Sequence, residues 1–375
     1  MKTAFIYSDD FARYSYGHSH PLKPYRLKLT YELIKAYGLL SLPDVRVIEA
    51  QPPDGRDLLM FHEKDYIAML KTVNNGEMTP ASEFFGLGPG DNPVFEGVYD
   101  WSSLVAGASL QAADLIMRGG CDITFNIAGG LHHAMPGRAS GFCYINDPVL
   151  AIMSLLKNGM RVAYVDIDAH HGDGVQYAFY STDRVLTVSL HETGTILFPG
   201  SGFENETGAG RGEGYSVNIP LPPTCDDQLF VYAFEEIVPP LVGKFSPDVV
   251  VTQLGVDSFH GDPLAHLNFT NNGFVRVVES MKEIAPKWLA LGGGGYDMAN
   301  VARAWTLAWA VMNDVEISDE IPEDFLRLHG KEGFGSGRLK DSEYVVQGPD
   351  KEAMRKEVER VLDSIRERVF PKLGI

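Results

Sequence analysis

Within Val162–Gly174, VAYVDIDAHHGDG, five groups able to bind a metal or move a proton fall within eight positions: Asp166, Asp168, His170, His171 and Asp173. The segment begins as an apolar run of strand character. Alternation along a strand puts Asp166 and Asp168 on one face, with His170 in step where strand gives way to loop. Carboxylates and imidazoles converging at the end of a buried strand are costly to desolvate unless something binds there. A second source is NIAGGLHHAMPGRASGFCYIND, Asn126–Asp147, where a strand ends in Gly129–Gly130 and delivers His132 and His133 into a loop. Imidazole is the acid–base group suited to neutral pH, and a carboxylate on its other ring nitrogen sets its behaviour. Asp166 and Asp173 are free for that task.

In QLGVDSFHGDPLAHLNF, Gln253–Phe269, a strand runs into Asp257, which could join Asp168 and His170. Three protein ligands with an open fourth position form the pattern of a catalytic zinc. In LALGGGGYDMAN, Leu289–Asn300, the dinucleotide fingerprint fails because its third glycine would fall on Asp297. Its glycines, Gly294 among them, let backbone approach a ligand, and Tyr296 could donate to a developing oxyanion. Phe142, after Gly141, and Phe198, before Pro199–Gly200, could face each other across a slot for an aliphatic chain. Asp91 sits in a loop that could present a carboxylate to substrate. Ser189 and Leu190, with Asp166, Asp168 and His170, could hold a monovalent cation through backbone carbonyls.

These segments lie between elements that must position them. Strands are predicted near Thr3–Tyr7, Arg46–Ala50, Ile123–Ile127, Val162–Ile167, Val185–Leu190, Tyr215–Ile219, Val249–Gln253 and Trp288–Leu291. Helical spacing covers Tyr25–Tyr37, His62–Val73, Val94–Arg118, Pro148–Asn158, Gln228–Val242, Gly273–Ile284, Met298–Met312 and Lys351–Val369. Continuous apolar strands alternating with helices imply a parallel sheet buried on both faces, with ligands at the carboxyl ends of the strands. Asn74–Pro93 reads as a long functional loop, Asp314–Asp350 as a charged surface excursion, and the last helix as a cap. One α/β domain is expected over residues 1–375.

A formal charge of −18 argues against broad nucleic-acid binding. Three widely spaced cysteines, Cys121, Cys143 and Cys225, suit a reducing, cytoplasmic setting and leave no cysteine zinc knuckle. Asp9 and Asp10 interrupt the N-terminus before a signal-length apolar region forms, and no membrane span is expected.

Together, GGLHHAMPGRASGFCYIND, VDIDAHHGDGVQYAFY, LGVDSFHGDPL and LGGGGY resemble the zinc-dependent histone deacetylase family of the arginase–deacetylase superfamily. That family includes class I-like and bacterial acetoin-utilisation-type members. The resemblance runs from about Ser19 to about Met312. It implies a single open three-layer α/β domain with an eight-stranded, mostly parallel sheet, and zinc-dependent hydrolysis of acetyl- or short acyl-lysine amides in proteins or peptides. It makes Asp168, His170 and Asp257 the zinc ligands, and His133, oriented by Asp173, the general base and later proton donor. His132, paired with Asp166, would act electrostatically, and Tyr296 would stabilise the oxyanion. Phe142 and Phe198 would wall the acyl tunnel with Gly141 and Gly294, Leu264 would sit at its rim, Asp91 would hold the substrate backbone, and Arg26 would line an internal acetate channel. Two potassium sites are implied, one from Asp166, Asp168, His170, Ser189 and Leu190, the other from Phe179, Thr182, Val185 and Tyr215.

Two departures carry information. Leu264 stands where polyamine-selective relatives have glutamate, and Pro263 where inositol-phosphate-binding members have a basic residue. Acetylpolyamine hydrolysis remains an alternative. So do a binuclear manganese ureohydrolase, for which the second Asp-x-Asp pair is missing around Asp257, and a non-catalytic acyl-lysine or polyamine binder. Oligomeric state is left open, and His171 has no assigned role.

Overall fold

The computed structural model describes all 375 residues. Eight strands, β1 (Thr3–Tyr7), β2 (Val45–Glu49), β3 (Ile123–Asn126), β4 (Val162–Asp166), β5 (Val185–Glu192), β6 (Ser216–Leu221), β7 (Val249–Gln253) and β8 (Trp288–Leu291), form one sheet. Their order is β2-β1-β3-β8-β7-β4-β5-β6, and every neighbouring pair is parallel. The central strands are buried residue by residue, as their largely apolar sequences require when helices cover both faces, and the polar residues Asn126, Asp166 and Gln253 stand at their carboxyl ends. β3, β8, β7 and β4 are adjacent, so the four polar segments that follow them emerge side by side on one edge.

Helices Val98–Met117 and Asp147–Lys157 pack on each other, as do Tyr25–Ala36 and Met298–Met312, and Asp227–Phe245 and Asn271–Ile284. The C-terminal helix, Pro349–Arg368, turns Met354, Val358, Val361, Leu362 and Ile365 into the main core and lies against β6 and Asp227–Phe245. The helix expected from Val94 begins at Val98, and the one expected to stop at Val242 continues to Phe245, through Pro239 and Pro240.

Three expectations need correction. β4 ends at Asp166, so Asp168 and His170 lie beyond the strand and their convergence is not strand alternation. A helix over Asp173–Phe179 was missed; it begins at Asp173, whose negative charge suits a helix N-terminus. Asp314–Asp350 is not only a surface excursion, because Ile321, Phe325, Phe334 and Leu339 close a second small core against Leu29, Leu33 and Ala302, around a helix at Glu323–His329.

Candidate active site

Asp168, His170 and Asp257 meet although Asp257 arrives from a different strand. One donor atom from each lies within 4.8 Å of the others, and all three residues are buried. His170 Nδ1 stands 3.1 Å from Asp168 Oδ1 and 3.0 Å from Asp257 Oδ2. The carboxylates are fixed from outside. Asp168 Oδ2 accepts from Gln253 Nε2 at 2.6 Å and from the Gly294 N–H at 2.8 Å. Asp257 Oδ1 accepts from the Ala169 N–H at 2.8 Å. Two buried carboxylates sharing one imidazole are short of positive charge. Burial opposes protonation of His170, yet its bonds to Asp168 and Asp257 lift it to about 10, while burial and Asp168 push Asp257 up to about 6. An oxygen–nitrogen–oxygen set with its inner edge free fits a borderline divalent cation such as zinc.

Beside this cradle, Gly129–Gly130 turns the chain after β3 and brings in His132 and His133. Asp147 anchors the turn by accepting from the N–H groups of Gly130 and Leu131. His132 Nδ1–H donates to Asp166 Oδ2 at 2.7 Å, and His133 Nδ1–H to Asp173 Oδ1 at 2.8 Å. The two Nε2 atoms then face each other 3.0 Å apart, room for one proton between them. Burial works against charge on both rings. At His132 the nearby Asp166 and Asp168 overcome it and hold the ring up at about 9. At His133 burial and the charge on His132 win over Asp173, so its pKa is lowered. The shifts favour a charged His132, whose Nε2–H then donates to Nε2 of a neutral His133.

Tyr296 follows the glycine loop after β8, and Asp262 Oδ2 accepts its backbone N–H at 2.8 Å. Burial, then Asp257 and Asp168, hold its phenol well above the ordinary tyrosine range, so it remains a donor. Gly294 is required by space: a Cβ there would lie 2.0 Å from Asp257 Oδ2 and 2.8 Å from Asp168 Oδ2. Behind the loop, buried Arg26 donates to the carbonyls of Gly293 and Gly295 at 2.7 and 2.6 Å. It has no carboxylate partner, and its Nε is unpaired.

The two expected walls, Phe142 and Phe198, line different cavities that adjoin at Gly141. A cavity of about 20 Å³ is lined by Gly141, Phe142, His132, His133, Asp168, Gly294 and Tyr296, among others. An outer groove of about 590 Å³ includes Gly141, Phe198 and Asp91, so Gly141 is common to both. The Phe142 ring stands 5.7 Å from Tyr296, edge to face, and the Phe198 ring 5.0 Å from His133. Phe142 adopts φ 68°, a costly angle for an aromatic residue, and Tyr16 fixes it by donating its hydroxyl to the Phe142 carbonyl. Leu264 is half-buried and lines neither cavity; its N–H donates to Asp262 Oδ1, the carboxylate that also accepts the Tyr296 N–H.

Ser189 pairs in register with Asp166 on β4 and β5, with Leu190 next and Asp168 and His170 following Asp166. In the second implied cation set, the carbonyls of Phe179 and Tyr215 already accept N–H groups from Thr182 and Thr187. Val185 opens β5, and Thr182 lies in the preceding turn.

Three supporting residues escaped the sequence reading. Gln253 holds Asp168; its signal was a polar side chain closing an apolar strand, in register with Asp166. Asn146 Nδ2 donates to the carbonyls of His132 and Ala134, and the Tyr164 hydroxyl donates to Asp166 Oδ2. Neither follows a pattern visible in one dimension.

A buried Asp–His–Asp cradle, a proton-handling histidine pair and a phenol at the carboxyl edge of a parallel sheet define a metallohydrolase-type centre. The histone deacetylase domain family matches residues 20–312. Histone deacetylase B of Dictyostelium discoideum is 42% identical over 331 residues, 88% of this chain and 78% of that protein. Human histone deacetylase 1 is 41% identical over 333 residues, 88% of this chain and 68% of that one. A crystal structure of an HDAC homolog from Aquifex aeolicus superposes with a TM-score of 0.89 at 36% identity, covering 98% of this chain and 100% of that chain. Another, of an HDAC homolog complexed with SAHA, gives 0.88 at 35%, with the same coverage. The chain belongs to the histone deacetylase family.

Proposed function

We propose that this chain is a zinc-dependent lysine deacetylase that hydrolyses the amide of N6-acetyl-lysine, or a short acyl-lysine, in protein or peptide substrates. The observation that carries the reading is the Asp168–His170–Asp257 cradle, with the neutral Nε2 of His133 on one side and Tyr296 on the other. Zinc held by those three residues would supply Lewis acidity toward the amide carbonyl and the attacking water. His133 Nε2 gives up the contact it accepts from the His132 Nε2–H to take the proton of the water, then returns that proton to the leaving lysine amine, while Asp173 keeps the ring turned with Nδ1–H away from the reaction. His132, charged through Asp166, stabilises the negative charge that develops. Tyr296 donates its hydroxyl to the oxyanion. Phe142 and Phe198 bracket the aliphatic chain, Gly141 and Gly294 let it pass close to backbone, Asp91 accepts from the substrate main chain, and Arg26 receives the carboxylate product.

Potassium at Asp166, Asp168, His170, Ser189 and Leu190 would lie next to the cradle, and a second ion at Phe179, Thr182, Val185 and Tyr215 would brace the turn into β5. Residues 1–375 act as one catalytic domain, consistent with their single sheet. The three free, buried cysteines suit the cytoplasm, and no helix is long and apolar enough to cross a membrane. Leu264 at the rim favours peptides over acetylpolyamines, which would need an anion there. A binuclear manganese centre is disfavoured because Asp166 is already engaged by His132 and Tyr164.

The test is side-by-side hydrolysis of acetyl-lysine peptides, longer acyl-lysine peptides and acetylpolyamines by zinc-loaded enzyme, with metal content measured. Acetyl-lysine peptide should give the highest kcat/KM of the three, with one metal ion per chain. Preference for acetylpolyamines, or two manganese ions per chain, would overturn the reading.

A further inference from the structure

His171 sits beside a cradle ligand, is buried, and has no part in the chemistry above. Its partners fix both its proton and its purpose. Glu206 Oε1 accepts from the N–H groups of Gly202 and Phe203, each at 3.0 Å, and Oε2 accepts from Gln176 at 2.7 Å. A carboxylate facing Gln176 requires the amide nitrogen on that side, so Gln176 Oε1 points the other way. There it accepts from Asn218 Nδ2 at 2.7 Å and the Ser216 hydroxyl at 3.0 Å. His171 Nε2, 3.2 Å from the same oxygen, must therefore carry a hydrogen. Its Nδ1 is left to accept from the Ser201 hydroxyl at 2.9 Å.

The chain Glu206–Gln176–His171–Ser201 thus grips both sides of the turn after Phe198. Gly202 lies flat on the His171 and His191 rings: a Cβ there would come 2.5 Å from His171 Cγ and 2.4 Å from His191 Nε2. His191 Nε2–H also donates to the Gly202 carbonyl at 2.8 Å. Phe198 itself is 43% exposed, and its ring meets the His133 and His170 rings. Its ring stands edge-on to His133, and a Cβ on Gly141 would lie 2.9 Å from it. A ring this exposed, met by two histidine rings and Gly141 on its inner side, depends on the backbone of its own loop to stay there.

We propose that His171 is a positioning residue for the acyl slot. Through Ser201 and the Gln176–Glu206 pair it fixes the loop so that Phe198 stays against Gly141 and keeps the slot narrow enough to favour a short acyl group. The inference rests on the acyl-lysine reading of the site and assigns the selectivity of that site to a polar chain outside it.

The test compares kcat/KM for acetyl- and butyryl-lysine peptides in zinc-loaded wild type, Ser201→Ala, Ser201→Thr, Glu206→Gln and a Phe198→Ala control. Losing one buried hydrogen bond to the loop should raise the butyryl-to-acetyl ratio about fivefold in Ser201→Ala, mainly through KM. Glu206→Gln should move it the same way, Phe198→Ala should move it at least as far, and Ser201→Thr, which keeps the hydroxyl, should stay near wild type. A ratio that shifts in Phe198→Ala but not in Ser201→Ala or Glu206→Gln, even with a lower melting temperature, overturns the proposal and leaves the site reading intact. A Phe198→Ala ratio equal to wild type also overturns it, since the slot would then not depend on that ring. Wild type that hydrolyses neither peptide refutes the site reading and takes this inference with it.

Discussion

Replacing Tyr296 with Phe tests the proposed chemistry with little structural disturbance. The ring would keep its edge-to-face contact with Phe142, and the backbone N–H would keep its bond to Asp262. No protein group hydrogen-bonds the hydroxyl, which borders the small cavity beside the cradle. Its loss leaves no buried partner unsatisfied, so stability should change by no more than about 0.5 kcal/mol. Catalysis should respond differently. One preorganised oxyanion donor is worth about 100- to 1,000-fold in rate, or about 2.7–4 kcal/mol of transition-state stabilisation. Because the bond forms only as charge develops, kcat and kcat/KM should fall together with KM nearly constant. The assay is steady-state hydrolysis of an acetyl-lysine peptide, run alongside metal analysis and thermal melting on the same preparations. Turnover within about threefold of wild type, with metal retained, would remove Tyr296 from the mechanism and shift the oxyanion's stabilisation elsewhere.

Other substitutions probe separate parts of the site. Gly294→Ala puts a methyl group 2.0 Å from Asp257 Oδ2, so metal affinity should fall at least about 10- to 100-fold by titration with a competing chelator; unchanged affinity would mean the loop yields freely. Asp173→Asn removes the charge that raises the pKa of His133 against burial and His132. The acid limb of kcat/KM should therefore move to lower pH while the plateau drops about 10- to 100-fold, and a limb moving upward would contradict the assignment. His62 donates from Nδ1 to the Met135 carbonyl and accepts the Asn146 N–H at Nε2, and burial lowers its pKa to about 4 despite Pro136 and Met135. Between pH 4 and about 6.5 the unfolded chain binds the extra proton, so stability is full above that window and falls as pH drops through it, by up to about 3 kcal/mol. Denaturant unfolding at pH 7 and pH 5 should show a smaller pH effect in His62→Gln than in wild type, and equal effects would exclude His62 as the source.

Much of this architecture was legible because the relevant patterns are local. Apolar-rich runs such as Val249–Gln253 and Trp288–Leu291 gave strand positions to the residue, since strands buried on both faces admit only polar side chains with a partner. The convergence of Asp168, His170 and Asp257 and of the two histidines was legible because such residue types are costly in a core unless they are partnered. What stayed hidden depends on contacts across the sheet. Gln253 looked like a strand terminus, and only its register with Asp166 reveals that it reaches Asp168. Helix Asp173–Phe179 was obscured because its seven residues are too few to display a period. Ile321, Phe325, Phe334 and Leu339 were hidden among charges, and their meaning depends on Leu29 and Leu33 nearly three hundred positions earlier.

The way the carboxylates are satisfied separates the supports from the centre. Asp147 uses both oxygens on backbone N–H groups and the Ser109 hydroxyl, and Asp166 is closed by His132, Tyr164 and the Asp168 N–H. Neither has a reason to hold the catalytic cation through its side chain. Asp168 and Asp257 are treated differently: N–H donors clamp their outer oxygens, and although Asp168 Oδ1 also accepts the His170 N–H, one oxygen of each carboxylate converges on a single imidazole nitrogen. A core that completes hydrogen bonding around two acids and leaves two others facing each other has left a place for positive charge from outside the chain. Arg26 does not fill it, since its guanidinium turns to the carbonyls of Gly293 and Gly295 on the far side of the glycine loop. That loop therefore lies between two acids short of positive charge and a buried arginine whose Nε has no partner, and under the proposed chemistry the polarised carbonyl would stand on the first side and the carboxylate product would leave toward the second.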